Sequence, residues 1–136
     1  MIGILCEKPS AAKNFAKALG GQKGIYNGES YVIVASHGHL YGLDDEPGNQ
    51  VSPELKEKYT TWSISNLPWD ENDFKWKFMQ KDKSDKTASQ IQEVLSKCDE
   101  VCIATDDDPS GEGELLAWEV IWMKKIRVGK YTRMYF

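Results

Sequence analysis

The chain has little cysteine, no long apolar run and no excess of positive charge. Its three cysteines, Cys6, Cys98 and Cys102, form no Cys-x-x-Cys pair, so neither a disulfide framework nor a zinc site is indicated. The longest apolar runs span only a few residues, too short for a membrane-spanning helix. The first residues lack the basic flank and cleavage site of a signal peptide. We therefore expect a cytoplasmic protein with no membrane partner.

Acidic residues outnumber basic ones, with 21 Asp and Glu against 17 Lys and Arg, for a net charge of -4. This balance argues against a self-sufficient nucleic-acid binder, because phosphate contacts are normally made by a basic surface. Any contact with DNA must therefore be local. A chain of 136 residues with 40% hydrophobic content is long enough for one compact domain with a real core.

Short β-prone runs alternate with segments of helical periodicity along the chain. The predicted strands are residues 2–6, 30–36, 74–79, 101–105 and 131–136, and the predicted helices are residues 12–19, 84–98 and 112–124. Residues 42–73 are rich in Pro, Asp, Asn and Gly, which indicates a long surface excursion. Alternating strands and helices predict an α/β fold with a mostly parallel sheet and right-handed crossovers.

Three consecutive aspartates, at positions 106–108, directly follow the predicted strand 101–105. Like charges this close raise one another's pKa unless a cation compensates them, and ligands gather at the carboxyl ends of parallel strands. Mg²⁺ takes one or two carboxylates together with substrate phosphate, so the turn predicts a magnesium site and phosphoryl chemistry. The alternative is a solvated acidic turn. An EF-hand loop is excluded because its twelfth position would fall on Ala117.

A phosphatase of the haloacid-dehalogenase type also uses Asp-x-Asp, but too little chain follows the motif here. Four other segments, in order, carry a closer resemblance: Glu-Lys-Pro-Ser at 7–10, Gly-His-Leu at 38–40, Trp followed by Leu-Pro at 62–68, and Ala-Thr-Asp-x-Asp to Ala-Trp at 104–118. Together they resemble type IA DNA topoisomerases, particularly the topoisomerase III branch. The shared part is the Toprim domain, an α/β module also found in bacterial primases and some nucleases.

The resemblance implies a Rossmann-like fold with a mostly parallel central sheet flanked by helices. Residues 1–136 would form a single Toprim domain, the N-terminal part of a longer topoisomerase. In that family, a tyrosine attacks a single-strand phosphodiester, and religation follows. The tyrosine would come from a missing downstream domain, so the partners expected are single-stranded DNA and the remaining domains of the same enzyme. The chain alone is expected neither to cleave nor to relax DNA.

The resemblance also assigns roles to five residues. Glu7 would assist proton transfer at the 3′-hydroxyl, and Glu7, Asp106 and Asp108 would hold Mg²⁺, with Mn²⁺ as a substitute. Lys8 would offset phosphate charge or, alternatively, pair with a nearby carboxylate. His39 would contact DNA or order the site, unless it only hydrogen-bonds backbone.

The chain departs from the topoisomerase pattern at Ser110, where that pattern has glutamate. Glu112 and Glu114 are the candidates for a third carboxylate. We favour a site without one, as in primase-like Toprim domains, because a helix after Gly111 would point both glutamates away. This departure keeps open a stand-alone Toprim nuclease or primase-like phosphotransfer domain, and a non-catalytic metal-dependent DNA-binding module.

Two aromatic features have ordinary explanations. Tyr131 and Arg133 superficially match a Tyr-x-Arg active-site motif, but they lie in a predicted terminal strand, so we expect no nucleophile in this chain. Trp118 and Trp122 lie one turn apart on a predicted helix, and we expect them to pack in the core.

Overall fold

The computed structural model describes residues 1–43, 50–61, 63–76 and 78–136. Two compact units divide the chain: the larger comprises Met1–Leu40 with Asp82–Phe136, and the smaller comprises Tyr41–Lys81. The larger unit contains β1 (Ile2–Cys6), α1 (Pro9–Leu19), β2 (Lys23–Tyr26), β3 (Glu29–Ala35), α3 (Thr87–Leu95), β6 (Glu100–Ile103), α4 (Glu112–Met123) and β7 (Lys130–Arg133), and the smaller contains β4 (Tyr41–Leu43), α2 (Lys56–Thr60) and β5 (Phe78–Gln80). Across the described ranges, no helix is long and apolar enough to cross a bilayer.

The sheet of the larger unit has the strand order β2-β3-β1-β6-β7. Strands β3, β1, β6 and β7 are parallel, and β2 alone is antiparallel to its neighbour β3. The predicted mostly parallel α/β sheet is therefore confirmed. Because these four strands point the same way, their carboxyl ends share one edge of the sheet.

The two faces of the sheet are covered by different helices. Ile4, Cys6 and Ile33 belong to a buried cluster on which the apolar side of α1 packs. Side chains alternate between faces, so Gly3 lies on the opposite face, where a Cβ would come within 2.4 Å of Leu95 of α3. Right-handed crossovers place α4 on the same face as α3. The sheet is thus flanked by helices on both faces, as predicted.

Helix α1 begins three residues before the apolar pattern that predicted it. Pro9 occupies its first turn, where the fixed φ of proline suits the helix and its missing N–H costs nothing. The helix ends at Gly20, whose φ of +96° closes the last turn through a hydrogen bond from its N–H to the carbonyl of Ala16.

The smaller unit includes the whole stretch that was predicted as a surface excursion, residues 42–73. In it β4 pairs with β5 in antiparallel fashion, and the ring of Phe74 stacks on that of Trp76 with centroids 5.1 Å apart. Among the described residues, the strand predicted at 74–79 is formed in part: Phe74 makes an isolated bridge to Val51, and β5 spans Phe78–Gln80. Residues 44–49, Trp62 and Lys77 lie outside the described residues.

The expectation that both tryptophans of α4 lie in the core is wrong for Trp122, which is 77% exposed. The helix buries Leu116, Ala117, Val120 and Ile121, and this face leaves Trp122 pointing outward. Trp118 is 38% exposed and packs at the surface against Tyr131, with ring centroids 5.5 Å apart. Apolar periodicity alone did not separate these positions, because α4 is apolar on most of its circumference.

Two adjacent leucines of α4 provide a matched test of this packing. Leu116 is 1% exposed and Leu115 is 54% exposed. We predict that Leu116→Ala lowers the free energy of unfolding by roughly 2–5 kcal/mol, since it empties a packed site. Leu115→Ala should change it by no more than about 0.5 kcal/mol. Urea unfolding followed by circular dichroism measures both, and equal losses would contradict the orientation of α4.

Candidate metal centre

Three loops meet at the carboxyl edge of the parallel strands. Glu7 follows β1, residues 36–40 follow β3, and the aspartates at 106–108 follow β6. The Ser36 N–H donates to the carbonyl of Cys6 at 3.0 Å, and the Gly38 N–H donates to that of Glu7 at 3.2 Å. The hydrogen-bond ladder thus continues beyond β1 and β3, and it holds the loop that carries His39 beside Glu7.

Glu7 and Asp106 lie close enough to interact directly. The pKa of Glu7 is raised to about 7, chiefly by burial. A side-chain hydrogen bond to Asp106 and the negative charges of Asp106 and Asp108 raise it further, and the positive charge of Lys8 opposes the shift. The ammonium of Lys8 lies 3.6 Å from Oδ2 of Asp106, so Lys8 does pair with a carboxylate. These four side chains therefore form one electrostatic group with more negative than positive charge.

Ser110, the departure from the topoisomerase pattern, supports Asp108. Its hydroxyl donates a hydrogen bond of 2.6 Å to Oδ1 of Asp108. That bond and those from the backbone N–H groups of the turn hold the pKa of Asp108 below its usual range. Ser110 thus keeps the neighbouring carboxylate ionised and oriented, which a glutamate at this position would not do.

The two candidate third carboxylates have different surroundings. Oε1 of Glu114 accepts a hydrogen bond of 3.1 Å from Nε of Arg133, so this carboxylate is already paired with a cation. Glu112 is exposed at the start of α4. A role for Glu112 or Glu114 as the third carboxylate of a metal site stays a prediction.

His39 is held by an acidic residue of α4. Its Nδ1 lies 3.1 Å from Oε2 of Glu119, and the Glu119 side chain is only 9% exposed. An ionised carboxylate can only accept a hydrogen bond, so Nδ1 carries the proton. The contact with Glu119 thus uses only one of the two ring nitrogens of His39.

The family model for the Toprim domain matches residues 3–136. The chain belongs to the Toprim family. Its curated relatives include DNA topoisomerase 1 of Mycolicibacterium smegmatis, 29% identical over 125 residues, which make up 92% of this chain and 12% of the relative. DNA topoisomerase 3 of Bacillus thuringiensis is 29% identical over 130 residues, or 93% of this chain and 16% of the relative. The chain thus spans less than a fifth of the length of either relative.

Toprim domains generally bind Mg²⁺, and the donors at this edge suit that ion. Within the described ranges, no group of three His, Cys, Asp or Glu side chains is arranged to hold a metal. Mg²⁺ does not need such a cage, because it usually takes one or two carboxylates and keeps several waters. Glu7, Asp106 and Asp108 supply oxygen donors only. The neighbouring Thr105 hydroxyl is buried without a hydrogen-bond partner, so a polar atom at this edge is unsatisfied.

Three residues at this edge have roles that were not predicted from the sequence: Gly113, Glu119 and Arg133. A Cβ at Gly113 would lie 2.1 Å from the carbonyl oxygen of Asp106, so only glycine allows α4 to start this close to the acidic turn. Glycine in the first turn of an otherwise apolar helix was the available signal. For Glu119, the signal was an acidic residue between apolar positions of α4.

The closeness of Glu7 and Asp106 can be measured by titration. We predict that, in metal-free solution, Glu7 titrates near pH 7, and that Asp106→Asn lowers its pKa because a neighbouring negative charge and hydrogen-bond partner are removed. Burial should keep part of the shift. Asp107→Asn, which removes the same charge from the adjacent position, should leave the pKa unchanged. Carboxyl ¹³C NMR reports this titration, and a Glu7 pKa that ignores Asp106→Asn would contradict the geometry.

Proposed function

We propose that this chain is the Mg²⁺-binding Toprim domain of a type IA DNA topoisomerase, supporting cleavage and religation of single-stranded DNA. The observation that carries the proposal is the placement of Glu7 beside Asp106, at the ends of two adjacent parallel strands. Like charges held together in this way favour a divalent cation and a phosphate substrate. The relatives that carry topoisomerase names support the DNA substrate.

The nucleophilic tyrosine is assigned to another part of a longer protein. Tyr131 is a poor candidate, because its hydroxyl donates to the carbonyl of Ile126 at 2.7 Å and accepts from the N–H of Val128 at 3.2 Å. Its partner in the strand register is Val101, in the amino half of β6. Val101 lies two residues before the end of β6, so Tyr131 is displaced from the edge that carries the aspartates. The 136-residue chain alone should therefore leave supercoiled plasmid unrelaxed.

Glu7 is suited to move the proton in this reaction. During cleavage, the tyrosine hydroxyl gives its proton to solvent as its oxygen bonds to phosphorus, the bond from phosphorus to the 3′-oxygen breaks, and the Glu7 carboxyl gives its proton to that oxygen. During religation, the 3′-hydroxyl attacks phosphorus and gives its proton to Glu7, the bond to the tyrosyl oxygen breaks, and that oxygen takes up a proton from solvent. In the metal-free site, the pKa of Glu7 is about 7, and a general acid–base works best when its pKa lies near the operating pH.

The remaining residues bind and orient the phosphate. Asp106 and Asp108 would hold Mg²⁺, which when bound neutralises charge on the phosphate oxygens. The half-exposed Lys8 would add a second positive charge at the same edge. His39, fixed through Nδ1 by Glu119, would present Nε2 to the DNA backbone.

A second candidate is a stand-alone Toprim nuclease or primase-like phosphotransfer domain. Ser110 favours it, because the turn then supplies two carboxylates and a serine that orients one of them. In a nuclease, water would take the place of the tyrosine, and cleaved strands would carry no attached protein.

Metal binding by the two outer aspartates is the test of the shared proposal. We predict that Asp106→Asn and Asp108→Asn each weaken Mn²⁺ binding by about tenfold or more, since each replaces a charged carboxylate ligand with a neutral amide. Asp107→Asn should change it less than about twofold, because Asp107 is exposed and lies between the two ligands. Loss of the free-Mn²⁺ signal in electron paramagnetic resonance measures the affinity. Equal affinities for all three variants and the wild type would refute the proposal.

A further inference from the structure

Arg133 makes an unusual number of hydrogen bonds at the end of β7. It pairs in register with Ile103, the last residue of β6, and its side chain is only 13% exposed. The guanidinium donates to four main-chain oxygens, those of Ile103 (3.1 Å), Thr105 (2.7 Å), Asp106 (3.3 Å) and Met134 (3.0 Å). Its Nε donates to Glu114. One side chain therefore contacts β6, the acidic turn, β7 and α4.

These contacts replace the strand ladder where it ends. The pairing of β6 with β7 stops at Ile103 and Arg133, so the carbonyls of Thr105 and Asp106 need other donors. A guanidinium has five N–H groups in a planar fork and can serve several acceptors at once, which an ammonium on a flexible stem cannot do.

The contacts also restrain the direction of the Asp106 side chain. Arg133 holds the carbonyls of Thr105 and Asp106, one on each side of the Asp106 α-carbon, and it binds neither oxygen of the Asp106 carboxylate. Gly113 of α4 lies close against the same peptide, since a Cβ there would come within 2.1 Å of the Asp106 carbonyl oxygen. The carboxylate is thus left to Glu7 and Lys8.

We propose that Arg133 is a positioning residue for the cation site, holding the acidic turn so that Asp106 points toward Glu7. The inference rests on the proposed function, because it assumes that this edge binds a divalent cation. Residues that orient metal ligands through hydrogen bonds typically change metal affinity tenfold or more when they are removed.

The test compares Mn²⁺ binding by the wild-type chain with that of Arg133→Ala, Arg133→Lys and Thr132→Val. Thr132 is the matched control, because it is adjacent on β7 and its hydroxyl donates to Glu100 at 2.8 Å, away from the turn. Affinities are measured by electron paramagnetic resonance well below each variant's unfolding midpoint. We expect about tenfold weaker binding in Arg133→Ala, a smaller loss in Arg133→Lys, and a change below about twofold in Thr132→Val.

Asp106→Asn, measured in parallel, separates the two ways of failing. If Asp106→Asn weakens binding while both Arg133 variants bind like the wild type, the positioning role is wrong and the proposed function stands. Equal losses in Thr132→Val and the Arg133 variants would also overturn the role, since they would show a general effect of β7. If Asp106→Asn binds like the wild type, the proposed function fails and this inference fails with it. Should Arg133→Ala not fold, Arg133→Lys decides by the same comparison with Thr132→Val.

Discussion

The parallel pairing of β1 with β6 brings together two carboxylates that are far apart in the chain. The register Leu5 to Ile103 is fixed by backbone hydrogen bonds and by buried side chains on both faces of the sheet. Glu7 and Asp106 follow these strands, so the fold holds them together although their charges repel. Burial raises the pKa of Glu7, and the neighbouring Asp106 adds to the shift.

The structure around the acidic turn limits how this repulsion can be relieved. Main-chain contacts from Arg133 and Gly113 restrain the turn, and Ser110 restrains Asp108. A free loop could relieve the repulsion by moving its carboxylates apart. In this restrained turn, the repulsion is relieved by a proton, by the ammonium of Lys8 or by a metal ion. The same arrangement therefore contributes to the raised pKa of Glu7 and to the affinity for Mg²⁺ that we propose.

Much of this fold follows from local patterns. Apolar runs marked β1 and β6, helical periodicity marked α1 and α4, and the rule that parallel strands share a carboxyl edge placed Glu7 near Asp106. The contact between His39 and Glu119 could not be predicted this way, because neither position shows which residue will lie opposite it in the folded protein.

Arg133 shows a second limit of local patterns. Its spacing from Tyr131 drew attention to an active-site motif, whereas four of its five hydrogen bonds are with backbone oxygens, which leave no pattern in side-chain identity. Trp122 was misplaced for a related reason: a helix that is apolar on most sides does not reveal which face meets the sheet. Long-range partners and helix rotation both depend on the packed structure.

We propose that one cation binds at the shared carboxyl edge of β1 and β6. Anomalous diffraction from crystals soaked in Mn²⁺ tests it most directly, because the signal locates the ion without assumptions about its ligands. We predict a peak within coordination distance of carboxylate oxygens of Asp106 and at least one of Glu7 and Asp108. A peak only at other carboxylates, or none at concentrations that saturate binding in solution, would contradict the account.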